Sequence, residues 1–319
     1  MLEQIVAVIL SVELYTAVVR MTTPLLLAAL GSILAERSGV VTFSMEAMML
    51  LGAVGAIIGS GLTGSAWLGL CVAMLFGALV GLIYAVWAVS IGANQIVTSV
   101  ALNLGALGLS SILYVMTFAP AKGEVIEQVI QVPSLPAWKI PLLGDIPVIG
   151  TVFFNQIPIV YFGYLLIPII WFILYKTTWG LKVRAVGEHP HAADTVGISV
   201  AGVRYISVVI SGIMSGLAGA FLSIGMLNTF QEGMSAGRGF IAYTAIVFGK
   251  WEPLGVALGT VLFGAADALQ LRLQAMNLAI PYQFMVAFPY LVTFITLVVF
   301  VGKAVWPASY GMPFQREGK

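Results

Sequence analysis

Two histidines flank a proline in Glu188-His189-Pro190-His191, inside the polar run LKVRAVGEHPHAADTVGISV that spans 181–200. Imidazoles with carboxylates beside them, here Glu188 and Asp194, are the side chains that hold metals or relay protons. Pro190 separates the two rings, however. The chain has 2 histidines and 1 cysteine in all, so nothing completes a tetrahedral set and no metal site is expected. The run reads better as local structure. Pro190 has its φ set for a first helical position, where its missing N–H costs nothing. His189 then takes the N-cap, Ala192 and Ala193 favour helix, and Gly197 is placed to end it. The expected element is a two-turn helix, too short to be stable alone. It must be held by its own chain, by a partner, or by both.

Other polar residues sit inside apolar runs. Glu46 and Asp267 would each cost about 2.5–3.5 kcal/mol at the centre of a membrane span, so each needs a reason. Glu46 has two readings: it lines a pathway, or it ties helices together. An ion-coupled transporter would use Glu46 or Asp267 as a proton site. Neutral side chains suit a neutral solute better. Asn94, Gln95, Thr98 and Asn103 belong to one segment, and Asn228 and Gln231 flank the outer end of another. An amide offers two donors and an acceptor, which matches a nucleobase edge or sugar hydroxyls. Phe43, Met45, Met48 and Phe240 are placed to stack on a ring or to fill space. A membrane-embedded enzyme would need a cluster of His, Asp or Glu at one interface, and no such cluster is read.

These residues must be positioned by a greasy scaffold. Of 319 residues, 60% are hydrophobic and 8% are charged. Only helices or closed barrels satisfy the backbone in lipid, and the apolar runs here are long and continuous, so helices are expected. Candidate spans fall at 5–33, 43–60, 66–90, 95–118, 152–175, 203–228, 254–273 and 282–302. A further stretch, 233–249, either crosses or dips in and returns. The reading is an all-α integral membrane protein, one transmembrane domain over 1–319 with eight to ten transmembrane or re-entrant helices. Glu13, Arg20 and Pro24 suggest that the first segment divides into an interfacial helix and a kinked span. The N-terminus has neither a basic region nor a small-residue cleavage site, so no removable signal peptide is read.

Lysine and arginine placement sets orientation. Arg37, Lys176, Lys182, Arg184, Arg204, Lys250, Lys303, Arg316 and Lys319 fall on one side; Lys122, Lys139 and Arg272 fall on the other. The segment 176–202 is therefore cytoplasmic, and the proline-rich loop 119–151 is external and irregular. A net charge of +1 gives no field that would draw nucleic acid. Patches of small residues, as at Gly212 to Ala220, let membrane helices approach closely. A faint internal echo links 42–59 with 229–249, pairing Glu46 with Glu232.

Four stretches carry a resemblance. They are TPLLLAALGSILAERSGVVTFSMEAMMLLGA (23–53), GANQIVTSVALNLGALGLSSILY (92–114), RAVGEHPHAADTVGISV (184–200) and GRGFIAYTAIVFGKWEPLGVALGTVLFGAADALQLRLQ (237–274). In this order they resemble permease subunits of ATP-binding-cassette importers of the branched-chain amino acid/ribose/nucleoside type. FGKWEPLG and DALQLRLQ lean toward the nucleoside branch. At 42–47 the chain departs from the family's Asn-x-Gly-x-Glu-Gly pattern: Glu46 is kept and the glycines are not.

The resemblance implies a pathway for nucleosides, with simple sugars and branched-chain amino acids as alternatives. It implies that Arg184, Glu188, His189, Pro190, His191, Ala192, Asp194 and Gly197 belong to a coupling element that enters a cleft in a separate ATPase. Phe43, Glu46, Asn94, Thr98, Asn103, Asn228, Gln231 and Phe240 are the pathway candidates. The implied partners are that ATPase, a second permease (a related chain or a copy), an external substrate-binding protein or lipoprotein, and the bilayer of the cell membrane. The Gly-Lys of FGKW at 248–251 lacks the rest of a phosphate-cradling loop. No cofactor is therefore expected on this chain; ATP and Mg belong to the ATPase.

Overall fold

The computed structural model describes residues 11–119, 131–276, 282–300 and 306–315. The first ten residues, 120–130 of the external loop, and Lys303, Arg316 and Lys319 lie outside the described residues. The chain forms α1 (Val12–Arg37), α2 (Met45–Thr63), α3 (Ala66–Ala85), α4 (Gln95–Phe118), α5 (Ile149–Phe153), α6 (Pro158–Lys176), α7 (Thr178–Glu188), α8 (Pro190–Thr195), α9 (Val200–Ala220), α10 (Arg238–Phe248), α11 (Pro253–Ala275) and α12 (Tyr282–Phe300). Both α3 and α9 run on into π-helical turns, Val86–Ser90 and Phe221–Leu227. A two-residue pair of strands, β1 (Trp138–Lys139) and β2 (Asn155–Gln156), is the only sheet among the described residues.

Seven helices, α1, α2, α3, α4, α6, α9 and α11, are long and apolar enough to cross a membrane. The stretch expected at 282–302 is helical as α12. The ambiguous 233–249 becomes the 11-residue α10, too short to cross alone. Its leading segment, 228–237, is irregular, and the two together reach from one end of the bundle to the other. Asn228 lies at the outer end, where its carbonyl accepts the amide of Val132 in the external loop. Trp251, just past α10, lies at the other end, where its carbonyl accepts from Arg37 Nε at 3.0 Å. With the seven long helices, this broken segment and α12 give nine candidate crossings among the described residues.

Three local expectations are corrected. Among the described residues the first segment does not divide: from Val12 to Arg37, α1 is one helix running through Pro24. Ser11 caps it by accepting the amide of Leu14, and Thr23 adds a hydroxyl bond to Val19 O in the turn that Pro24 weakens. The fifth span starts at Pro158 rather than 152, because Pro158 takes the first helical position and α5 is a separate short helix. Arg204, counted as a loop charge, is buried in the second turn of α9.

The core is α1, α2 and α9, with α3 packed on α2 and α9 and α11 packed on α1. Small residues set these distances. A Cβ added at Gly77 of α3 would run into Gly212 O of α9, and one at Gly212 would run into Gly77 O. Ser32 of α1 and Ser211 of α9 share a hydrogen bond of 2.6 Å across the centre. The units α1–connector–α2–α3 and α9–connector–α10–α11 run in opposite senses. Helix α1 ends, and α9 begins, at the end of the bundle where Arg37 pairs with Glu252 and Tyr175 donates to Glu252. The positive-inside bias makes that end cytoplasmic. The stretches that carry the sequence echo thus fall in two units of opposite sense, each with an irregular connector ahead of its second helix. The echo's Glu46–Glu232 pairing does not carry over, since Glu232 is exposed in the connector, ahead of the helix.

Candidate functional site

Irregular backbone inside a membrane must find partners within the protein. The connector 38–44, between α1 and α2, is buried except at Phe43. Side chains from four helices meet most of its backbone polar groups, while the buried Ser44 hydroxyl has no hydrogen-bond partner among the described residues. Gln95 Oε1 accepts Val41 N at 2.8 Å, and the Tyr84 hydroxyl donates to Val41 O. Glu36 accepts both the amide and the hydroxyl of Thr42, at 2.7 and 2.6 Å. Arg204 Nε donates to Ser38 O at 3.2 Å. Asn103 spans the junction with α2: its Nδ2 donates to Phe43 O at 3.0 Å and its Oδ1 accepts Ala47 N at 2.9 Å. The connector is braced by side chains from neighbouring helices where it enters α2.

Glu46 faces the second broken crossing. Its Oε1 accepts the Ser235 hydroxyl at 2.6 Å and the Gly237 amide at 2.8 Å, and its Oε2 accepts the Gly239 amide at 2.7 Å. A carboxylate at a helix N-terminus satisfies orphan amides and opposes the positive end of the helix dipole. Glu46 is thus the cap of α10, supplied by the first turn of α2. Of its two readings, the helix tie is the one seen. Phe43 and Phe240 flank this tie, with ring centroids 6.4 Å apart. Tyr243 stacks on Phe43 at 4.1 Å.

The pathway candidates therefore separate. Phe43, Glu46, Asn103 and Phe240 come together where the two broken crossings meet. Thr98 lies nearer the cytoplasmic end of α4 and gives its hydroxyl to Asn94 O at 2.9 Å. Asn94 is the N-cap of α4, accepting the amides of Ile96 and Val97 at 3.1 Å each. Asn228 has a left-handed backbone at the outer end, and Gln231 is exposed in the connector. Asp267 is 3.9 Å from Arg238, both largely buried beside a cavity of about 180 Å³ lined by Ile241, Gln270, Leu271 and Pro289.

At the cytoplasmic end, α8 forms with His189 at the N-cap and Pro190 at the first position. Gly197 takes φ +82, the left-handed conformation that closes a helix without a Cβ penalty. The 11-residue α7 ahead of it was not anticipated from the sequence; it buries Gly180, Val183, Val186 and Gly187. Ala193 anchors α8 inward, while Glu188, His189, His191, Ala192 and Gly197 are exposed. Arg184 differs from them: its guanidinium lies over the Tyr175 ring at 5.2 Å, so it packs against α6.

Three residues that sequence reasoning missed hold this end together. Glu36 is fully buried and accepts four hydrogen bonds: two from Thr42, one from Trp251 Nε1 at 3.2 Å, and one from the Tyr310 hydroxyl. Four donors fill the acceptor sites of a carboxylate. Arg204 joins Ser38 O to Met312 O, the latter at 3.0 Å. Burial, and then the Glu36 carboxylate, push the Tyr310 phenol well above its ordinary range, so it keeps its proton.

Comparison with known proteins gives this arrangement its family. Residues 14–301 match the family described as branched-chain amino acid transport system / permease component. The chain belongs to this permease family. Among its relatives, the permease is 40% identical over 302 residues to the guanosine ABC transporter permease protein NupQ of Bacillus subtilis, covering 91% of this chain and 92% of that one. It is 35% identical over 303 residues to the nucleoside ABC transporter permease protein NupC of Lactococcus lactis, covering 92% and 93%. It is 37% identical over 271 residues to TsgC13 of Haloferax volcanii, an ABC transporter permease whose name assigns glucose provisionally, covering 84% and 79%. No solved structure matches. The permease is a multi-pass membrane transport subunit, and its family works with an ATPase and a substrate-binding partner.

Proposed function

We propose that this permease carries nucleosides into the cell, with ATP and Mg held by a separate ATPase subunit. The observation that carries the substrate is the 40% identity, over nearly the full length of both chains, to a permease named for guanosine. The site supports it. Phe43 and Phe240 offer aromatic faces to a base, and Phe240 is 42% exposed on a face of the chain that a second permease, related or identical, would close. Helix α8 is the element that docks on the ATPase, by way of Glu188, His189, His191, Ala192 and Gly197. Its movement rocks α6 and α9 about the junction of the two broken crossings. ATP shifts this equilibrium only by its differential affinity for the two states.

The test is uptake of labelled guanosine by vesicles holding the complete transporter, with unlabelled nucleosides, pentoses, glucose and leucine as competitors. Purine nucleosides are expected to compete and the others not. Competition by glucose alone would favour the sugar reading, which the relative TsgC13 supports.

A further inference from the structure

Residues 306–315 form a strap that lies across the cytoplasmic end of the bundle, and the transport mechanism above leaves it without a task. Three consecutive residues of the strap reach three different elements. Ser309 N donates to Gly187 O at 2.9 Å, and its hydroxyl reaches Gly187 O at 2.5 Å, at the end of α7. The Tyr310 hydroxyl donates to Glu36 and lies 2.9 Å from the Tyr243 hydroxyl of α10. Since the single hydroxyl hydrogen of Tyr310 is directed to Glu36 as a hydrogen bond, Tyr243 is the donor in that second bond. Gly311 N donates to Gly39 O at 2.9 Å, in the connector leading to α2.

The flanking residues extend the same pattern. Ala308 N donates to Glu188 Oε2 at 3.3 Å, and the Phe314 ring lies 5.1 Å from His191, which places the strap on both sides of the proposed docking helix. The fit at the connector is close: a Cβ at Gly39 would lie 2.8 Å from Ser309 Oγ. On its other side the strap is loosely packed, with a cavity of about 400 Å³ between Trp306, Pro307, Met312 and α10. Tyr243, which the strap holds through Tyr310, is the residue stacked on Phe43. Contacts linked by the strap backbone thus run from Glu188 at Ala308 and His191 at Phe314 to Tyr310, and from there through Tyr243 to the Phe43 ring.

We propose that the 306–315 strap is a coupling element: Tyr310 is the positioning residue that makes movement of α7–α8 reach the Phe43–Glu46 junction. This rests on the reading that α8 docks on the ATPase. Contiguous contacts carry coupling only if both ends bias the same two states, so the test must read coupling rather than contact.

The experiment uses the complete transporter in vesicles, with the single cysteine replaced (Cys71→Ala) and a reporter placed in the outer connector (Glu232→Cys). A water-soluble maleimide reads the reporter with and without trapped nucleotide. ATP hydrolysis and co-purification of the ATPase are followed alongside, in the parent and in Tyr310→Phe and Ser309→Ala. Tyr310→Phe keeps the ring against Trp251 and removes only the hydroxyl. In the parent, nucleotide changes the labelling rate. In Tyr310→Phe the change shrinks by at least about fivefold, the lower end of ordinary allosteric coupling. The ATPase stays bound and hydrolysis continues.

A parent whose labelling ignores nucleotide sinks the docking reading, and the strap proposal with it. A parent that responds and a Tyr310→Phe variant that responds equally overturn the strap proposal alone. Parallel loss of ATPase association, hydrolysis and response in both variants marks a structural role and also overturns it.

Discussion

The Glu46 carboxylate and the Gly239 amide lie 2.7 Å apart, joining the first turn of α2 to the first turn of α10. One side chain thereby fixes the meeting point of two broken crossings, and its removal would leave backbone donors without acceptors. Glu46→Ala should destabilise the permease by about 1–3 kcal/mol, the desolvation cost of a buried unpaired donor. Glu46→Gln keeps one acceptor oxygen and should fall between. Thermal unfolding in detergent ranks the three proteins. A Gln variant weaker than the Ala variant would show that the carboxylate does something other than cap α10.

Asn103 uses both ends of its amide, on Phe43 O and Ala47 N. Asn103→Asp keeps the acceptor and loses the donor; Asn103→Leu loses both. Guanosine uptake should fall in that order, with the Leu variant destabilised by about 1–3 kcal/mol. Equal uptake by wild type and the Leu variant would remove Asn103 from the site.

Helices α3 and α9 touch backbone to backbone at Gly77 and Gly212. Gly212→Val forces them apart and should cost about 1–3 kcal/mol or more, as overpacking does in close-packed interiors. Gly105, on the open side of α4, has free space where a Cβ would go, and Gly105→Ala is the matched control. Equal melting temperatures for the two variants would contradict the close approach.

Helix α8 exposes Ala192 while Ala193 faces inward. Ala192→Glu should abolish co-purification of the ATPase while leaving the permease folded. Gly197→Pro should do the same by a different route, because proline cannot adopt the φ of +82 found there. Retention of the ATPase by both variants would move the docking site elsewhere.

How much of this was legible depends on whether the signal is local. Helix α8 was readable because Pro190 and Gly197 are chemical marks at its two ends, and Glu46 stood out as a charge in an apolar run. Asn94 also carried a local signal, an amide directly ahead of a helix, which is the pattern of an N-cap more than of a ligand site. Glu36 was passed over and Arg204 was counted as a loop charge because both sit near span ends, where a charge ordinarily meets water; both are buried. Nothing within 306–315 indicates a strap. Its partners are at Gly39, Glu36, Gly187 and Arg204, and such distant pairings leave no periodic trace.

Because Glu36, Arg204 and the carbonyl of Gly39 take partners from Tyr310, Met312 and Gly311, their hydrogen bonding is completed only once 310–312 have been synthesised. A nascent permease stalled before residue 306 would hold a carboxylate and a guanidinium short of partners at its inner end. Residues 306–315 thus close contacts that the helices made before them leave open.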